Sequence, residues 1–184
     1  MPLLSFWSFG NIISSIGAIL FILCAFVKRK EIVLSLHCMA HTCYMISEII
    51  THLWAGMVQD FVSLLRNATI IFKKNTKLLN IIFIVLSVVI GIGVNILTRP
   101  EGAPFYGVWY GYFAVIANLE FSIVALYFSG PKPIKLAQGF SGILWGVNFF
   151  FGGLTIAGIL NAINGLASFV AFAIMVYKDK RVRT

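Results

Sequence analysis

The chain is short of charge, and shortest of acid: of 184 residues 11% are charged, and six Asp and Glu stand against 14 Lys and Arg. So few ionisable side chains cannot clothe a water-facing surface, which excludes a soluble globular domain. Cysteine is scarce too. Cys24, Cys38 and Cys43 are an odd number and lie inside apolar runs, which excludes a disulfide framework and leaves free thiols as the expectation. No cation precedes the first apolar run, as a cleavable signal peptide would require, so that run is expected to stay as a span. The chain has no Gly-x-Ser-x-Gly, no HExxH, no paired catalytic Asp motif and no nucleotide-binding loop, so neither an enzyme nor a cofactor is expected.

What is present is hydrocarbon. With 60% hydrophobic residues and a mean hydropathy of +0.96, the chain reads as an all-α polytopic membrane protein whose partner is the lipid bilayer. Seven candidate spans cover about 8–27, 31–54, 55–72, 78–97, 107–128, 136–152 and 153–177. The stretches 31–72 and 136–177 are each 42 residues between cationic clusters. A single helix of that length would run about 63 Å, twice the hydrocarbon thickness of about 30 Å, so each is expected to be a hairpin.

Twelve of the 14 basic residues fall after spans 1, 3, 5 and 7: Lys28, Arg29 and Lys30; Lys73, Lys74 and Lys77; Lys132 and Lys135; Lys178, Lys180, Arg181 and Arg183. By the positive-inside rule this puts the N-terminus outside and the C-terminus in the cytoplasm. Cations dealt out loop by loop are topology determinants, not a nucleic-acid surface.

Two equal hairpins, each preceded by one span and a basic loop, predict an internal repeat within one membrane domain. Residues 1–77 are the first three-helix repeat, 78–106 a connector helix with its outer loop, and 107–184 the second repeat. The connector returns the chain across the bilayer, so the two triples are parallel. AGMVQDFVSLL and AGILNAINGLA, in spans 3 and 7, echo one another in their leading Ala-Gly and in the spacing of polar residues. Gly107 and Gly111, and Gly142 and Gly146, have the four-residue spacing of close helix packing. Seven spans in 184 residues leave thin walls, compatible with a homo-oligomer, though no motif specifies one.

Polar residues at depth are the candidate site. Counting from span ends places Arg66 at about 17 Å and Glu120 at about 20 Å, both near the midplane, and an ion pair between them is expected because a charge in hydrocarbon needs a partner. Asn67, Asn118, Asn161 and Asn164 fall at similar depth on spans 3, 5 and 7, one polar layer drawn from both repeats. Trp145 shares a face of span 6 with Gln138, Ser141 and Asn148 and offers a stacking platform. His37, His41, Tyr44 and Glu48 stand at i, i+4, i+7 and i+11, a single helical face from which Cys38 and Cys43 turn away. Two His four apart suit zinc, but no third or fourth ligand is evident and His37 is expected to be wetted near the basic loop, so no metal is expected. His41, Tyr44, Glu48 and Asp60 are instead candidates for a proton relay or an acidic outer vestibule.

The run KRKEIVLSLHCMAHTCY, the LLRN and following KK of span 3, the PKPIK loop and the WGVN of span 6 resemble the Imp-YgjV family of small bacterial inner-membrane proteins over essentially the whole chain. That resemblance implies an inner-membrane location and no particular activity. The 3+1+3 arrangement also resembles the SWEET sugar facilitators and the PnuC vitamin transporters, and implies a route for an unknown small-molecule solute, driven, with no nucleotide-binding motif present, by a gradient or by trapping on the inside. It departs from the SWEET pattern in its prolines: Pro2, Pro100, Pro104, Pro131 and Pro133 all fall in expected termini or loops, so glycines such as Gly139 and Gly152 would have to supply hinges. The competing expectation is a non-transporting scaffold or assembly partner whose polar layer is helix-packing glue, worth about 0.6 kcal/mol per bond.

Overall fold

A computed structural model describes residues 8–183 apart from 75, 100, 103, 106 and 129. These residues form seven α-helices: α1 (Phe9–Phe26), α2 (Lys30–Thr51), α3 (Trp54–Ile71), α4 (Lys77–Leu97), α5 (Gly111–Tyr127), α6 (Pro131–Phe151) and α7 (Thr155–Arg183). Four of them are long and apolar enough to cross a membrane: α1, α2, α4 and the Thr155–Asp179 part of α7. The shorter α5 is apolar as well. In α3 the hydropathy average is pulled down by Gln59, Asp60, Ser63, Arg66 and Asn67, all of them buried, while Phe61 and Leu65 on the same helix are exposed. This inversion, polar inside and apolar outside, recurs along the chain and is the signature of a surface solvated by lipid.

Local chemistry sets the helix ends. Ser8 caps α1 by accepting the Asn11 N–H at 3.3 Å, and Thr76 caps α4 by accepting that of Leu79 at 3.2 Å. Pro131 opens α6, where its missing N–H costs nothing. The helix therefore begins five residues before the expected 136, and Pro131 and Pro133 belong to its first turn, not to a loop as read from the sequence. At the far end α7 continues past the expected 177 to Arg183, and the exposed Lys132 and Asp179 pair across α6 and α7.

The uncharged breaks expected near Trp54 and Gly152 are turns. His52 ends α2 in the left-handed region, with φ 57°, and its N–H returns to the carbonyls of Glu48 and Ile49. A β-carbon is strained there, so His52→Gly should raise stability by about 1 kcal/mol, read as a higher thermal midpoint in detergent.

Each helix packs against the next in the chain, and α7 closes on α1. Because α3 also meets α5 directly, the ring is built of six helices, with α4 lying outside against the α3–α5 seam. The buried face of α4 is a four-residue ladder of Phe83, Ser87, Gly91 and Asn95, extended by Asn80. Asn80, Ser87 and Asn95 make that face polar: Asn95 donates to the Val108 carbonyl at 3.0 Å, while Ser87 donates to Gln59. In the α6–α7 hairpin, a Cβ built on Gly142 would lie 2.9 Å from Cα of Gly165, and one on Gly146 would lie 2.9 Å from the Gly158 carbonyl, so the two backbones touch.

Candidate functional site

A polar cavity lies at the centre of the ring, and all six ring helices line it. Phe21 comes from α1, His37 and His41 from α2, Ser63 and Arg66 from α3. The other half of the wall is Asn118 and Phe121 of α5, Gln138, Ser141 and Trp145 of α6, and Asn161 and Asn164 of α7. The outer helix α4 contributes nothing to it. Room for the centre of a water molecule amounts to about 20 Å³, enough for one or two waters.

On one wall, Arg66 is 1% exposed and held by neutral acceptors. Its Nε and Nη2 donate to Asn67 Oδ1 at 3.1 and 3.0 Å, and Nη1 donates to Asn118 Oδ1 at 2.7 Å and to Ser122 Oγ at 2.5 Å. Its guanidinium carbon also sits 5.2 Å from the centre of the Phe121 ring. Asn118 is the hub: its Oδ1 also accepts from Ser63, and its Nδ2 donates to Gln59 Oε1, which takes the Ser87 hydroxyl as well. This network locks α3, α4 and α5 together. On the opposite wall, Gln138 Nε2 donates to the Phe21 carbonyl and to Asn164 Oδ1, and the buried Lys135 donates to Gln138 and to the Cys24 carbonyl. Asn161 Nδ2 donates to Tyr44 Oη at 2.7 Å, joining α7 to α2.

A third cluster lies between α2 and α3. His41 Nδ1 and Asp60 Oδ1 are 2.7 Å apart, both buried, and the Glu48 carboxyl adjoins that of Asp60 within hydrogen-bonding reach. No donor among the described residues reaches either Glu48 oxygen. Gly56 makes room, since a side chain there would strike Glu48 Oε1.

Of the residues singled out in the sequence, Arg66, Asn118, Trp145, Asn161 and Asn164 meet at the cavity. Asn67 stands behind Arg66 and reaches the site only through it. Glu120 does not pair with Arg66. It turns outward into a groove between α5, α6 and α7 lined by Val124, Phe128, Lys132 and Phe140. The azimuth explains it: Glu120 is two residues from both Asn118 and Ser122, which places it on the opposite side of the helix.

His41, Asp60 and Glu48 come together as a cluster, whereas Tyr44 is drawn away to Asn161. His37 is not exposed near the basic loop as expected; it is 2% exposed, packed at a tilt against Phe21 and Phe121, and faces the cavity. Sequence reasoning passed over Gln59, Ser63, Ser122 and Lys135 as site residues. Their signal was the spacing: Gln59, Ser63 and Arg66 stand at i, i+4 and i+7, and Ser122 follows Asn118 by four.

No family model matches the chain, and no curated protein or solved structure matches it either.

Proposed function

We propose that the protein is a small-molecule transporter or facilitator of the bacterial inner membrane. In this reading it crosses the bilayer seven times as two parallel three-helix repeats, with α4 as connector, the N-terminus outside and the C-terminus in the cytoplasm. The observation that carries the proposal is the wall of the central cavity, to which every ring helix contributes a side chain and the excluded α4 none. Helix packing alone would satisfy polar groups pairwise between neighbours. A shared central space is where transporters place a solute. The neighbour order also supports the repeat, because α1–α2–α3 and α5–α6–α7 occupy equivalent arcs of the ring, and α3–α5 corresponds to α7–α1. The His41–Asp60–Glu48 cluster supports coupling to protons as the driving gradient. The resemblance to the Imp-YgjV proteins agrees with the location.

Free space for only one or two waters favours a second reading, a scaffold whose polar layer is glue. Uptake assays in proteoliposomes separate the two. Transport predicts flux of at least one solute class that Asn164→Ala reduces about tenfold or more while the protein stays folded. Glue predicts no flux across a panel of sugars, nucleosides, amino acids and small organic and inorganic ions, and a loss of about 0.6–2 kcal/mol of stability in the same variant.

A further inference from the structure

All six acidic residues can be placed, and none neutralises Arg66. Asp60 pairs with His41, Glu48 adjoins Asp60, Asp179 pairs with Lys132, Glu120 fronts the outer groove, and Glu31 and Glu101 are exposed. A guanidinium is charged at any accessible pH, so Arg66 is a buried cation held only by amides, a hydroxyl and an aromatic face. Lys135, also 1% exposed, is a second buried cation, and its contacts are a carbonyl and Gln138, itself on the cavity wall. Burying positive charge without a counter-charge is strongly unfavourable, and the surroundings of such a charge ordinarily supply an anion.

A second observation points the same way. His37 Nε2 is buried with no hydrogen-bond partner, on a side chain that lines the cavity beside Arg66. The guanidinium spends its Nε and both terminal nitrogens on Asn67, Asn118 and Ser122, yet Nη2 makes one bond and carries two hydrogens. Nη2 therefore has a hydrogen to spare, and His37 Nε2 is a buried ring nitrogen without a partner, on a positively charged wall.

We propose that the central cavity binds a small monovalent anion, of halide to formate size, seated against Arg66 and His37. This deepens the transporter reading and rests on it for the role of the site, but not for the binding itself. The size limit follows from the free space, which admits one or two water-sized particles. Specificity follows from charge: a neutral sugar leaves the guanidinium uncompensated, and a metal cation is repelled by it.

The experiment uses the full chain, purified in detergent with sodium gluconate as the only salt. Chloride, nitrate and formate replace gluconate at constant ionic strength while thermal unfolding is followed. Binding predicts a saturable rise in the midpoint of about 5–10 °C at anion concentrations near 100 times the dissociation constant. Arg66→Gln should abolish the rise. Should that variant not fold, His37→Phe keeps a group of similar bulk and should weaken the apparent affinity about tenfold. A flat titration of the native protein overturns the anion site even if proteoliposomes take up neutral solutes. A rise that persists undiminished in the foldable variant overturns it as well. A saturable rise lost in the variant, with no flux of any solute of the panel in proteoliposomes, leaves the anion site standing and removes the transport reading alone.

Discussion

Asp60→Ala should lower stability by about 3–5 kcal/mol, the loss expected when one partner of a buried, hydrogen-bonded pair is removed. His41 and Asp60 are both almost wholly excluded from solvent, and their bond of 2.7 Å joins α2 to α3 across the turn at His52. Without Asp60, His41 loses its acceptor and Glu48 its neighbour, in a cluster whose side chains are almost wholly excluded from solvent. The control is the other ion pair. Lys132 and Asp179 are 36% and 52% exposed in their side chains, and Lys132→Ala should change stability by at most about 1 kcal/mol. Thermal or denaturant unfolding in detergent measures both. Equal effects would mean that the buried cluster is wetter than its geometry implies.

The second large effect is expected at Gly142. A methyl group there would lie 2.9 Å from Gly165 Cα and N, and 3.0 Å from the Asn161 carbonyl, all of them backbone atoms that cannot rotate aside. Gly142→Ala should therefore part α6 from α7 and destabilise by about 1–3 kcal/mol, and Gly142→Leu by more. Since Gly142 itself lines the cavity and Asn161 and Asn164 ride on α7, flux should fall with stability. Gly93 provides the contrast: nothing lies within 4 Å of the Cβ it lacks, so Gly93→Ala should be neutral or stabilising by up to about 1 kcal/mol.

The two glycines show what could be read in advance and what could not. The four-residue spacing of Gly142 and Gly146 marks a close helix contact in the sequence alone, but which backbone fills it depends on how the helices are arranged. The same division runs through the site. Hydropathy located the seven helices, four of them long and apolar enough to cross a membrane, and periodicity located the polar stripe of α2, whose four members His37, His41, Tyr44 and Glu48 are all buried. Opposite charges at equal depth suggested the pair Arg66–Glu120, yet depth fixes one coordinate of three. A helix turns about 100° per residue, and two steps from Asn118 carried the carboxylate to the outer wall. Lys135 was hidden for a different reason: its neighbours PKP read as a loop, so a lysine assigned to the membrane surface proved to be buried on the first turns of α6.

The position of α4 has a mechanical consequence. It braces the joint between α3 and α5, which is already cross-linked through Arg66, Asn118 and Gln59. Between α1 and α7 no strut is laid, and the contact there includes Ala18 and Ala157 of an apolar cluster. The α3–α5 seam is thus tied by polar bonds and covered by a helix, whereas no further helix packs across the α1–α7 seam, so the two joints of the ring differ in what would have to break for each to part.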